Sequence, residues 1–282
     1  MIVGIIGLGL IGGSLAISLK ERGFASKIIG VDKNKEHCKT AIQLGFADET
    51  CKLDEVLIKA NLVILAVPVD AARKILPTLL DDLNGKQVVI DMGSTKEGIC
   101  KIADSHPNRK NFVASHPIAG TENAGPSAAF DGLYDNKITI ICDEHKSDVS
   151  AVKLCKELYS TLKMKVLSMN AEEHDRHIAY VSHLSHITSF VLGQTVLEIE
   201  KEEKHIFNMA GSGFASTVRL AKSSPDMWAP IFEQNKEHLS TALDAYIKNL
   251  QEFKKRIDEG KKENLHELMS EVNDIRRVLK GL

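Results

Sequence analysis

Ile2-Val3-Gly4-Ile5-Ile6-Gly7-Leu8-Gly9-Leu10-Ile11-Gly12 runs an apolar stretch directly into a G-x-G-x-x-G. A buried parallel strand appears as a continuous Val/Ile run of about five residues, so Ile2–Ile6 reads as a strand and the glycines as the turn into a helix. In that setting Gly7 makes the tight turn, Gly9 lets the backbone approach a pyrophosphate and Gly12 lets the helix pack on the strand. Leu8, Leu10 and Ile11 complete a loop whose N–H groups, at a helix N-terminus, suit phosphate. Asp32 follows a second strand, Lys27–Val31, at about the twenty-residue distance expected of the acid that binds a ribose 2′-hydroxyl. A carboxylate there repels a 2′-phosphate, so NAD rather than NADP is the expected cofactor. Lys33 and Lys35 read as solvated lysines.

Further apolar runs at 62–66, 87–91, 112–115, 137–141 and 165–167 read as strands, with helical stretches at 13–23, 35–44 and 71–80. The alternation β-α-β-α-β predicts an α/β, doubly wound (Rossmann) parallel sheet over residues 1–168. From 169 to 282 strand signals vanish, and an all-α domain is expected. Asn170 with Glu173 has the chemistry of a helix N-cap and N3. Helices are predicted over 170–199, 212–222, 226–257 and 264–279.

Composition narrows the function. With 36 Lys+Arg against 38 Asp+Glu and no basic excess in either half, nucleic acid and anionic membranes are not expected partners. The five cysteines are odd in number and include no C-x-x-C, so neither a disulfide framework nor a thiol zinc site is read, and a reducing, cytoplasmic setting is expected. The glycine-interrupted N-terminus lacks the basic region and cleavage site of a signal peptide.

Several residues suit chemistry at the carboxyl edge of such a sheet. Val67, in VILAVP, is expected near the nicotinamide ribose. Ser94, in DMGSTK, either faces reacting groups or caps a helix. His116, just after a strand and stiffened by Pro117, is a natural proton acceptor. His174, His177, His183 and His186 share one predicted helix. His183 and His186 lie three apart on one face, but no third ligand or H-E-x-x-H supports zinc, and no metal is expected. Arg219, in a small apolar helix, is a salt-bridge partner or a carboxylate clamp.

GLGLIGGSLA (7–16), LAVPV (65–69), DMGSTK (91–96), SHPIAGTE (115–122), VSHLSHI (181–187), GSGFAS with RLA (211–221) and PDMW (225–228) together resemble the prephenate dehydrogenase family of tyrosine biosynthesis, which includes arogenate and cyclohexadienyl dehydrogenases. The resemblance implies NAD-dependent oxidative decarboxylation of prephenate to 4-hydroxyphenylpyruvate, with His116 taking the C4 hydroxyl proton and Ser94 orienting the hydroxyl or the histidine. It implies that His186 and Arg219 hold carboxylates, with Ser115 and Thr121 beside the substrate and Glu122 gating or polarising the cleft. It implies a homodimer built through the helical half. Ser216 stands where many relatives carry an acid, which favours prephenate over arogenate. No regulatory domain is expected after the helical half, so any inhibition by tyrosine is expected to act at the active site itself.

Overall fold

Eight strands form one sheet in the order β3-β2-β1-β4-β5-β6-β7-β8, in a computed structural model that describes residues 1–85, 87–203 and 205–279. The elements are β1 (Ile2–Ile6), α1 (Leu10–Glu21), β2 (Lys27–Val31), α2 (Lys35–Gln43), β3 (Glu49–Thr50), α3 (Val56–Lys59) and β4 (Leu62–Leu65). They continue with α4 (Val69–Asp81), β5 (Val88–Asp91), α5 (Glu97–Asp104), β6 (Phe112–Pro117), β7 (Ile138–Cys142), α6 (Val149–Thr161) and β8 (Lys165–Met169). The order reverses between β1 and β4, and this switch point opens a crevice beyond the strand carboxyl ends, where the glycine loop lies.

Alternate residues of each strand feed the two faces. Val3, Ile5, Ile28, Ile64, Ile90 and Val113 join Leu15 and Leu19 of α1 and Leu158 of α6 in one core. Ile6, Val63, Leu65, Val89 and Ala114 join Leu76 and Leu80 of α4 and Ile99 of α5 in the other. Both faces are covered, which is why the strands read as unbroken apolar runs.

The doubly wound parallel sheet is present with one departure: β7 runs antiparallel to β6, pairing His116 with Ile140 and Pro117 with Thr139. Between these strands the chain forms only a short 3-10 turn, Pro126–Ala128. A parallel return needs a crossover, usually a helix, and without one the strand comes straight back alongside. The two-residue β3 at the sheet edge has no apolar run and was not expected from the sequence.

The chain divides into two compact units, Met1–Lys236 and one beginning at Glu237. The first therefore also contains α7 (Ala171–Ile178), α8 (Leu184–Glu200), α9 (Ser212–Val218) and α10 (Pro225–Gln234). The Asn170 side chain accepts from Glu173 N–H at 2.7 Å, the N-cap its sequence predicts. A five-residue π turn, Ala179–His183, joins α7 to α8. The expected helix over 226–257 is interrupted at Asn235, the C-cap of α10, whose side chain is drawn inward as described below. The second unit holds α11 (Lys236–Asp258, whose first residue lies at the boundary), α12 (Lys262–Val272) and α13 (Arg276–Leu279). On α11 the apolar stripe Ile247, Leu250, Phe253 and Ile257 is exposed.

Candidate active site

The glycine loop shows what each glycine permits. Gly7 has φ +99°, and a Cβ there would lie 2.4 Å from Ala66 O. A Cβ on Gly12 would lie 1.9 Å from Gly7 O, so only glycine allows α1 to sit this close. A Cβ on Gly9 would meet nothing within 4 Å, so Gly9 borders open space. No side chain caps α1, which leaves its first N–H groups to a phosphate.

Asp32 follows β2. Its Oδ2 accepts from Leu8 N–H at 2.9 Å and lies 3.2 Å from His37 Nδ1, and its Oδ1 accepts from Asn34 N–H at 2.8 Å. The Leu8 N–H thus orients the acid rather than facing a phosphate, and the Leu8 side chain is buried against Gly30. Leu10 is also buried, and the Ile11 carbonyl accepts from Tyr134 Oη at 2.6 Å. Leu10 and Ile11 keep first-turn backbone N–H groups for a cofactor, while Leu8 has given its own to Asp32. Val67 packs against the Gly7 turn, half-buried. An open glycine cradle, an uncapped helix start and an anchored carboxylate fit a dinucleotide.

His116 is half-buried at the end of β6. Its Nδ1 lies 2.8 Å from His174 Nε2, and His174 Nδ1 lies 2.7 Å from Asp175 Oδ1. Asp175 also accepts Lys96 N–H on Oδ1 at 2.8 Å and Glu97 N–H on Oδ2 at 2.9 Å, capping α5. Burial works against charge on Asp175, but its hydrogen bonds from His174 and these two amides hold it below the usual carboxylate range. The carboxylate therefore fixes both rings. His174 donates through Nδ1 and accepts through Nε2, so His116 donates through Nδ1 and is left with a lone pair on Nε2. Burial, aided by His174, Lys96 and His183, pushes His116 well below the ordinary histidine value. Burial likewise lowers His174 against the pull of Asp175. The pair is a neutral base with an acceptor nitrogen turned away from the relay.

A second line of contacts leads from this relay toward Arg219. The Asp175 carbonyl accepts from Asn235 Nδ2 at 2.7 Å, and that nitrogen also lies 3.1 Å from His183 Nδ1. His183 meets Trp228 edge-on at 5.9 Å, and His186 stacks on the same indole at 3.5 Å. His183 and His186 do share a face, as their spacing predicts, but it is turned toward Trp228. His186 Nδ1 lies 3.0 Å from the Ser182 carbonyl, so the neutral ring presents Nε2 as an acceptor. Burial lowers the His186 pKa against the Ser182 bond, with Arg219 adding to the shift, so the cationic form that a carboxylate would need is disfavoured. The permanent cation is Arg219, paired with Glu122 Oε2 at 3.4 Å and half-exposed.

The expectations for single residues divide. Ser94 is half-buried with no side-chain hydrogen bond among the described residues, and α5 is capped by Asp175 instead. Its hydroxyl is therefore not spent on a cap. Ser115 as a substrate contact is corrected: it is fully buried, donates to the Asp91 carbonyl at 2.7 Å and lies 2.5 Å from Tyr159 Oη. Strand residues alternate faces, so Ser115 points into the core when His116 points out. Thr121 is exposed, and its Oγ1 accepts Asn123 N–H at 3.2 Å. No group of three His, Cys, Asp or Glu among the described residues is placed to hold a metal ion. The sequence gives Asp175 and Asn235 no part, shows Trp228 only as the last residue of PDMW, and shows His174 only as one of four histidines on its helix. The adjacent His174-Asp175 pair was the one visible signal, a carboxylate beside an imidazole.

Comparison with known proteins agrees with this geometry. Residues 15–168 match the family profile for the prephenate dehydrogenase nucleotide-binding domain, and residues 170–271 that for the prephenate dehydrogenase dimerization domain. The prephenate dehydrogenase of Bacillus subtilis is 32% identical, over 96% of this chain and 74% of its own length. The cyclohexadienyl dehydrogenase of Zymomonas mobilis is 30% identical, over 99% and 96%. A crystal structure of prephenate dehydrogenase from A. aeolicus, in complex with hydroxyphenyl propionate and NAD+, superposes with a TM-score of 0.92 at 35% identity, covering 99% of this chain and 98% of that one. Matched along both halves by the same family, and carrying a dinucleotide cradle and a hydrogen-bonded histidine pair, the chain belongs to the prephenate dehydrogenase family.

Proposed function

We infer that the chain catalyses the NAD-dependent oxidative decarboxylation of prephenate, giving 4-hydroxyphenylpyruvate, carbon dioxide and NADH. The observation that carries this reading is the His116–His174–Asp175 relay, which leaves one neutral imidazole nitrogen free beside the nucleotide crevice. Bound NAD supplies the hydride acceptor. His116 Nε2 takes the proton of the C4 hydroxyl as the C4–H bond gives up its electron pair, and Asp175 stabilises the resulting charge through His174. Ser94 orients the hydroxyl. The ring carboxylate then leaves as carbon dioxide, and the ring becomes aromatic.

Arg219 is the clamp for a substrate carboxylate, which exchanges with Glu122 on the guanidinium, while His186 offers an acceptor rather than a second cation. Residues 1–168 form the nucleotide-binding domain in this reading, and residues 169–282 the substrate and dimerisation domain. Five free thiols suit a cytoplasmic setting. No described helix is long and apolar enough to cross a membrane. The exposed stripe Ile247, Leu250, Phe253 and Ile257 supports a homodimer in which a second copy covers it. Sedimentation equilibrium should then return twice the 31.0 kDa chain mass, and a single-chain mass would count against it.

The direct test is NADH formation at 340 nm with prephenate and with arogenate, each with NAD and NADP. Prephenate with NAD should give the dominant rate, and silence in all four reactions would overturn the reading. Arg219→Ala should raise KM for prephenate about 10–10²-fold with little change in kcat, because a charged hydrogen bond made in both ground and transition states is lost. A fall in kcat alone would mean that the guanidinium acts on the transition state. Asp32→Ala should reduce the NAD to NADP ratio of kcat/KM by about 10-fold or more, having removed a charge-assisted bond to the ribose. An unaltered ratio would place the ribose contact elsewhere.

A further inference from the structure

Lys96 is the only lysine among the described residues that is buried, at 0% exposure, and its partner Asp91 is 1% exposed. Its ammonium pairs with the Asp91 carboxylate and donates to the Ser115 carbonyl at 2.8 Å. Its own backbone N–H donates at 2.8 Å to Asp175 Oδ1, the oxygen that lies 2.7 Å from His174 Nδ1. The contacts close a ring: Lys96 side chain, Ser115 backbone, His116, His174, Asp175 and back to the Lys96 backbone. One residue thus holds the base by the peptide before it and holds the relay by its far end.

A buried ion pair is a costly way to fill a core, since apolar residues of similar volume often serve stability as well or better. The placement here has a chemical use. We propose that Lys96 acts through this ring as a positioning residue for His116, keeping its ring in register with His174 and its free nitrogen ready to receive a proton. The proposal rests on the reading of His116 as the base. A fixed cation one peptide away disfavours a second positive charge on the imidazole, in the same direction as burial and His174. The charged and titratable groups around His116 are Lys96 and Asp91 from the β5–α5 segment, His174 and Asp175 from α7, and His183 from the π turn. Lys96 is the fixed cation among them, and its field also reaches His174.

The test compares wild type with Lys96→Met and with Lys96→Met/Asp91→Asn, the double variant leaving no unpaired buried carboxylate. NADH binding, followed by fluorescence, reports an intact fold. With that binding retained, kcat should fall about 10–10²-fold, and the acid limb of kcat/KM should move to higher pH. A limb that stays in place while kcat falls, or an unchanged kcat, would reduce Lys96 to a packing role and overturn the proposal. Should neither variant fold, 15N NMR of the wild-type histidines tests the ring state that Lys96 is proposed to hold. His116 should carry its proton on Nδ1 and stay neutral as pH falls through the ordinary histidine value, and a ring that protonates near that value would overturn the proposal. An active His116→Asn would instead fail the reading of His116 as base, and this proposal with it.

Discussion

His116→Asn is expected to lower kcat by about 10²–10⁴-fold while leaving NADH affinity within about 2-fold of wild type. The asparagine keeps a polar side chain near the His174 ring but has no basic nitrogen to accept the hydroxyl proton. The glycine loop and Asp32, which carry the cofactor reading, follow other strands and share no hydrogen bond with His116 among the described residues. Steady-state kinetics beside a fluorescence titration with NADH separate the two effects, and an unchanged kcat would remove His116 from the chemistry. The wild-type pH profile follows with its sign fixed. The neutral ring is the working form, and burial, His174, Lys96 and His183 hold its pKa well below the ordinary value. The rate should therefore stay level as pH falls through about 6.5 and drop only at lower pH.

Asp175→Asn should produce a loss of comparable size, about 10²–10⁴-fold in kcat, although the residue never touches substrate. Asp175 accepts three N–H groups on two oxygens, from His174, Lys96 and Glu97. An amide has one oxygen, so in either orientation its NH2 group faces a donor. If it faces His174, that ring flips tautomer, donates to His116 Nδ1 and forces the His116 proton onto Nε2, where the lone pair is needed. If it faces Glu97, the relay keeps its geometry but loses the negative charge that stabilises the imidazolium, and α5 loses part of its cap. The amide should also lower thermal stability by about 1–2 kcal/mol, the usual worth of a cap. A near-wild-type kcat would separate the carboxylate from proton transfer.

The glycine loop, Asp32 and the strand runs could be read directly, because a strand buried on both faces must be apolar throughout. Direction was not readable, since periodicity is the same for β7 whichever way it runs. The helix from Asn170 was visible, but the π turn within it was not, because one extra residue per turn leaves no compositional trace. Ser115 was misassigned by treating SHPIAGTE as a block, although neighbouring strand residues point to opposite faces. His174 and Asp175 escaped assignment for the converse reason: their use depends on where β6 and α5 arrive, and neither contact is local in sequence. Asn235 looked like one position of a continuous helix and instead ends α10, where its amide reaches Asp175 and His183.

The π turn at Ala179–His183 gives this helix a fixed phase. Upstream of it His174 and Asp175 serve the base, and downstream of it His186 stacks on Trp228. The wider turn takes up one residue more than an α turn, so removing one residue there would restore a regular helix with the faces on either side nearly in place. A further insertion or deletion would instead rotate one half against the other by roughly 100°. Either the base would lose its carboxylate or the indole would lose its imidazole. Residue count through these five positions is thus a constraint with one exception, the single deletion that leaves a plain α turn, and substitutions should be tolerated there far more readily than an insertion.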